Sequence, residues 1–420
     1  MIETISMMPG VTLRCFRDQR FKQGGLSIQF LRVPDRTEAG HNALLPAVLL
    51  RGCESAPDLR SITLRLDDLY GASVGELVRR VGDYQTTGLI CGFISDRYAL
   101  DGDKILEPMV AFLEELLLRP VTEKGVFSTA YVESEKKNQI SAIEAKRNNK
   151  RSYAAKRLLE IMCREDSYSI PRLGDVEQVK TITPKSLWDH YQKVLRHSPI
   201  ELFYVGQAEP EQVAALLRPM LSRIPRDPVP LPPQTLLQGG GAGCREETMA
   251  VEQARLNIGW RTPVHCRGPQ FAAMKICNHI LGGGMTSKLF VNVREKMSLC
   301  YDISSAYHGS KGIVTASAGI DYSKAEVVKK EILAQLQAIC DGDITPEELN
   351  AAKVALCSAL RGVHDSPGAI ESYYGTGALS GNALTPEEYK TAVQAVTAEQ
   401  VAELARTLEL DTVYILKGVQ

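Results

Sequence analysis

The sequence predicts an α+β chain built from two copies of one sheet-and-helix unit, and three observations predict it. Apolar runs of strand length, followed by amphipathic helical stripes, fill residues 1–222. Residues 223–245 then carry Pro225, Pro228, Pro230, Pro232 and Pro233 before Gly239-Gly-Gly-Ala-Gly243, a composition that supports neither helix nor central strand and reads as an interdomain linker. The same order of strands and helices recurs over residues 246–420. A length of 420 residues also exceeds one ordinary core.

Taken in order, the stretch from Val11 to Val33 predicts two strands, Cys15–Arg20 and Leu26–Val33, turning at Gly24-Gly25. A charged turn leads into an apolar helix over Asn42–Arg51, and Asp58 caps a second helix in which Ile62, Leu66 and Leu69 share a face. Strands follow over Gly75–Val81 and Thr86–Ile94. An amphipathic helix is expected over Asp103–Leu118, then a long charged helix over Thr122–Asn148 and another over Tyr153–Cys163. Helix Pro184–Leu195, strand Glu201–Val205 and helix Glu209–Leu221 close the first half. In the second, strands are expected over Met249–Trp260, Cys300–Tyr307, Ile313–Ile320 and Thr412–Leu416. Its helices are Gln270–Leu281, 286–296, Lys324–Ile339, one opening at Thr345-Pro346, and two near Pro386 and Ala398.

Composition narrows the function classes. Hydrophobic and charged contents of 44% and 24% fit a soluble globular protein. A net charge of −1, without a basic tract, gives no general attraction to nucleic acid or anionic membrane. No apolar run reaches the length of a membrane span, and the N-terminus lacks the basic region and apolar core of a signal peptide. The cysteines are scattered singly, which predicts reduced, mostly buried thiols in a cytoplasmic protein. One local group, His265-Cys266 with Cys277 and His279, offers metal-capable atoms at a spacing that matches no common zinc pattern. Ser134-x-x-Lys137 lies in a charged helical face and has no other part of a serine–lysine signature.

The most informative stretch is Leu281-Gly-Gly-Gly-Met-Thr-Ser-Lys-Leu-Phe-Val-Asn-Val-Arg-Glu-Lys-Met-Ser-Leu-Cys-Tyr301. Gly282, Gly283 and Gly284 free the backbone for a turn, a helical run follows, and Tyr301 opens a strand. Arg294 and Tyr301 lie seven residues apart across the helix exit, so a guanidinium and a phenol can converge on one carbonyl or carboxylate of a ligand. The plainer reading of the same spacing is a solvated last-turn cation and a half-buried strand aromatic. The glycines are not a phosphate loop, because no G-K-[ST] follows.

This stretch resembles the C-terminal signature of the M16 family of insulinase, pitrilysin and mitochondrial processing peptidases. The resemblance implies two homologous halves of the LuxS/MPP-like fold, each a mainly antiparallel sheet packed with helices, facing each other as a clamshell. It implies a peptide-binding role for Arg294, Tyr301, Gly282, Gly283 and Gly284. Active members carry H-x-x-E-H on the first helix, where two histidines bind zinc and the glutamate acts on a bound water. Aligned on Leu49-Leu-Arg-Gly52, those positions are Ala43, Pro46 and Ala47, and no two histidines of the chain reproduce the motif. The third ligand, a glutamate on the later long helix, aligns with Ser141 or Ala142, while Glu144 is expected to project elsewhere.

The resemblance therefore implies a chain that is not a peptidase on its own and needs no cofactor. Through Leu44-Leu-Pro-Ala-Val-Leu-Leu-Arg-Gly52 and Leu66-Asp-Asp-Leu-Tyr-Gly-Ala72 it resembles a bacterial YfmF-type subgroup associated with 5-aminopentanol modification of EF-P. The expected partners are a zinc-bearing M16 paralogue, in a heterodimer, or a second copy of the chain, together with a peptide. The alternatives are a scaffold of M16 fold without a peptide ligand and an enzyme with other, non-zinc chemistry.

Overall fold

The computed structural model describes residues 2–237, 241 and 243–419. The first half of the chain runs β1 (Ile2–Met8), β2 (Val11–Arg17), β3 (Gln23–Arg32), α1 (Ala39–Leu49), α2 (Leu59–Asp68), β4 (Ser73–Glu76), β5 (Arg79–Val81), β6 (Tyr84–Ile94) and α3 (Leu106–Leu118). It continues with β7 (Thr122–Glu123), β8 (Val126–Phe127), α4 (Thr129–Asn148), α5 (Lys150–Met162), α6 (Val176–Thr181), α7 (Pro184–His197), β9 (Ile200–Gly206) and α8 (Pro210–Ser222). The second half runs β10 (Gly243–Met249), β11 (Ala254–Arg261), α9 (Phe271–Asn278), β12 (Asp302–His308), β13 (Ile313–Ile320), α10 (Ala325–Cys340) and α11 (Pro346–Ala359). It ends with α12 (Pro367–Ser380), α13 (Pro386–Ala395), α14 (Ala398–Ala405) and β14 (Glu409–Gly418).

The expected repeat is visible in strand order. One sheet runs β1-β2-β9-β3-β6-β4, with β5 also on β6, and the other runs β10-β14-β11-β13-β12. In each, one parallel pair, β2 with β9 or β10 with β14, joins an otherwise antiparallel ladder. Matched by order, β2, β9, β3, β6 and β4 correspond to β10, β14, β11, β13 and β12.

The compact units do not follow the sequential division at 222 and 246. One contains residues 1–143, 170–233 and 364–379; the other contains 144–169, 234–363 and 380–420. The cause is the two-faced pleat, in which successive side chains point to opposite faces. In the first unit Leu202 and Tyr204 enter the core with α1, α3, α7 and α8, whereas Phe203 and Val205 face Ile370 of α12. In the second, Val413 and Ile415 pack with α9, α10, α13 and α14, whereas Tyr414 and Leu416 face Ala154, Leu158 and Met162 of α5. Each sheet's second face is thus covered by a helix from the other half of the sequence.

Polar contacts fix both helices. Glu371 of α12, 3% exposed, accepts from both terminal nitrogens of Arg79 (3.0 and 2.6 Å), from Ser27 Oγ (2.9 Å) and from Gln29 Nε2 (3.3 Å). Glu247 of β10 accepts from Tyr153 and Arg157 of α5 and from Tyr414. A methyl group at Gly259 would overlap the Met162 sulfur, so glycine there admits α5 onto the sheet.

Several expectations are corrected. Gly24-Gly25 is not a turn: both lie inside β3, where a Cβ on Gly24 would come within 3.0 Å of the Val205 carbonyl oxygen and 3.1 Å of the Phe93 ring. A hairpin of β7 and β8 precedes α4, so that helix starts at Thr129 rather than Thr122. Strands β10 and β11 are separate, and β10 already begins at Gly243, inside the expected linker. Earlier in that segment, the N–H groups of Asp227 and Val229 donate to the carbonyls of Arg196 and His197. Gly239, Gly240 and Ala242 of the glycine run lie outside the described residues. The expected helices at 270–281 and 286–296 are shorter or wider than α-helices, with π-helical turns over His279–Gly283 and Leu289–Lys296.

Candidate functional site

Helix α1 packs Leu44, Leu45, Val48 and Leu49 into the core and carries the positions aligned with the zinc motif. Ala43 and Pro46 are buried and Ala47 is half-buried. Methyl groups and a pyrrolidine ring offer no metal donor, and Pro46, lacking an N–H, leaves the Asn42 carbonyl without its helical partner. These residues do not fit a zinc ion. The α4 side chains that reach this region are Gln139, whose Nε2 donates to the Gly40 carbonyl (3.1 Å), and Glu135, paired with Arg51 (3.1 Å). Ser141, Ala142 and Glu144 are exposed, so the α4 surface near α1 lies nearer its N-terminus than the alignment implies.

Sequence order hides one relationship here. His41 and His190 bring their ring centroids within 5.3 Å of each other. His190 Nε2 lies 2.8 Å from Asn42 Oδ1, and Asn42 Nδ2 donates to Gln85 Oε1 (3.0 Å). Since a side-chain amide oxygen only accepts, His190 carries its proton on Nε2. Burial pushes its pKa down to about 3, and burial also lowers that of His41, whose Nε2 meets Ser186 Oγ at 3.2 Å. Both imidazoles are therefore neutral members of a packed polar network. Among the described residues, no group of three or more His, Cys, Asp or Glu could hold a metal ion.

The glycine-rich turn is shaped by close approach. A Cβ on Gly282 would lie 2.8 Å from the Ser305 nitrogen and 2.9 Å from Leu289 Cδ1. The His279 ring sits against Gly283 and Gly284, where added Cβ atoms would meet it at 3.0 Å. Ser287 Oγ donates to the Gly284 carbonyl (2.6 Å), and Ser305 Oγ to that of Asn278 (2.9 Å). The turn is thus bonded to β12 on one side and to the following helical segment on the other. Cys277 is fully buried with its thiol pushed up to about 12, and His265 and Cys266 bond locally, so the metal-capable group seen in sequence is split among packing roles.

Arg294 and Tyr301 meet, though not through both side chains. Arg294 Nε donates to the Tyr301 carbonyl oxygen (3.0 Å), while the guanidinium lies 4.7 Å from the Phe290 ring centroid and 3.3 Å from Glu295. The Tyr301 N–H donates to the Gly319 carbonyl (2.8 Å), which sets the residue at the start of edge strand β12. Its phenol, in a residue 65% exposed, lines an open cleft of about 650 Å³ with Gln253, Asp321, Tyr322 and Lys417. Arg294 therefore holds the main chain that presents Tyr301, and the cleft offers aromatic and charged groups to a polar, extended ligand.

The sequence matches the Peptidase M16 inactive domain over residues 181–356. It is 27% identical over 417 residues to the probable inactive metalloprotease YmfF of Bacillus subtilis, covering 98% of this chain and 96% of that protein. A conserved protein from Enterococcus faecalis V583 has a crystal structure that matches with a TM-score of 0.92 and 26% identity, covering 100% and 99% of the two chains. A peptidase M16 inactive domain from Pseudomonas fluorescens shares the fold at a TM-score of 0.82 and 20% identity, covering 99% and 98%.

Proposed function

We propose, from the premise that this chain belongs to the M16 peptidase family as an inactive homologue, that it is the non-catalytic subunit of a two-chain assembly whose partner is a zinc-bearing M16 paralogue. In that assembly it holds a peptide. One observation carries the reading: the α1 positions aligned with the zinc motif bear no donor, while Arg294 and the glycine turn still present an exposed Tyr301 at an open cleft and a sheet edge. An edge strand offers unpaired main-chain groups to an extended segment, and side-chain groups then select its position. The association with EF-P modification and a cytoplasmic setting belong to the same proposal; no helix among the described residues is long and apolar enough to cross a membrane.

The test is purification of the native protein from its host, with identification of co-purifying chains, zinc analysis and a peptidase assay of the complex and the isolated chain. A zinc-bearing M16 partner, with peptidase activity in the complex alone, is the expected result. Recovery without such a partner shifts the assignment to a scaffold. Zinc-dependent activity of the isolated chain contradicts the reading of α1.

A further inference from the structure

Lys136, Lys288 and Lys311 are buried, and each meets a carboxylate. Lys136 pairs with Glu133 (2.9 Å), Lys288 with Asp343 (3.3 Å) and Glu348 (3.1 Å), and Lys311 with Asp166 (2.8 Å). Lys275, half-buried on α9, does not. Among the described residues it makes no salt bridge, and its Nζ sits beside a pair of rings, 5.6 Å from the Phe271 centroid and 5.8 Å from that of Tyr307.

Two titratable groups beside it, His308 and Cys266, are held in their uncharged forms. Burial and the nearby Lys275 charge push His308 down to about 4, and burial raises the Cys266 thiol. The Tyr307 hydroxyl is engaged with the Val264 carbonyl (2.7 Å), and Cys266 faces the Ser380 carbonyl (3.6 Å). The wall is tight, since a Cβ on Gly309 would lie 3.1 to 3.2 Å from Cys266, Phe271 and Tyr307. A desolvated amine without a counter-ion loses its proton more readily than a solvated one, and burial lowers the Lys275 pKa.

We propose that Lys275 is an acylation site, an amine set against two rings that takes the acyl group of a small acyl phosphate. Its neutral Nζ attacks the acyl carbon, the N–C bond forms as the C–O bond to phosphate breaks, and hydrogen phosphate leaves with the amine proton. The half-buried position and close wall favour a small acyl group. Acylation removes a positive charge from the last turn of α9, the helix that leads directly into His279 and the glycine turn. This inference does not depend on peptide binding.

The experiment exposes the full chain to acetyl phosphate and follows acetylation of each lysine by peptide mass spectrometry, with a parallel sample unfolded in urea. Lys275 is expected to react at least about fivefold faster than the exposed Lys104 and Lys390 in the folded protein, as for other desolvated amines, and to lose that lead in urea. Reaction of Lys275 no faster than these two overturns the proposal. So does a preference that survives unfolding, because local sequence rather than the folded environment would then be its cause.

Discussion

Arg294 binds Tyr301 through the main chain: its Nε donates to the Tyr301 carbonyl at 3.0 Å, while the phenol makes no hydrogen bond among the described residues. The two residues therefore separate in their effects. Tyr301→Phe is expected to leave thermal stability unchanged, whereas Arg294→Ala lowers it by about 1 kcal/mol, the scale of one charged hydrogen bond at a partly exposed site. On the peptide-holding reading, Arg294→Ala also weakens peptide capture about tenfold in fluorescence anisotropy. Unchanged binding would remove Arg294 from that role.

Glu371 is nearly closed to solvent and satisfies Arg79 through two nitrogens. Glu371→Ala leaves that guanidinium without its counter-charge, at a cost of about 3 kcal/mol in urea unfolding. A loss below about 1 kcal/mol would mean that solvent reaches Arg79 and replaces the carboxylate.

In the glycine turn, Gly282→Ala drives a methyl group toward the Ser305 backbone and is expected to cost about 1–3 kcal/mol. Gly284→Ala meets only the His279 ring, which can turn aside, and costs less. Equal losses in denaturant titrations would contradict this account of the turn.

The His190 pKa of about 3 lies below the ordinary value near 6.5, so the unfolded chain binds more protons between these limits. The resulting stability is fully present above pH 6.5 and falls as pH drops toward 3, with a maximal slope of about 1.4 kcal/mol per pH unit from this one group. Unfolding measured across that range should show a shallower slope for His190→Gln than for the parent. Parallel curves would show that His190 is protonated to a similar extent in both states.

Local signals made much of the fold legible. Asp58 does cap its helix, the start signal at Thr345-Pro346 does open one, and apolar runs of strand length located β6, β9 and β13. Helix α12 escaped because the face it buries, Ile370, Glu371, Gly375 and Leu379, includes a glutamate and a glycine and so shows no continuous apolar stripe. Strand β1 escaped because its residues are mostly exposed or half-buried. At the candidate site, the sequence marked Arg294, Tyr301 and the glycines but gave no sign that the arginine engages a carbonyl. Nor did it show His41 beside His190, a proximity created only when α7 packs on α1.

Helix α12 also sets an order of events during synthesis. The strands of the first sheet leave the ribosome before α12, so its second face waits for residues 364–379. Until then Phe203, Val205 and Arg79 stand without Ile370 and Glu371, so the first unit reaches its native packing only once α12 has been made. Ribosome-bound chains stopped before residue 364 would accordingly be protease-sensitive in this sheet, and chains extended beyond α12 would gain resistance.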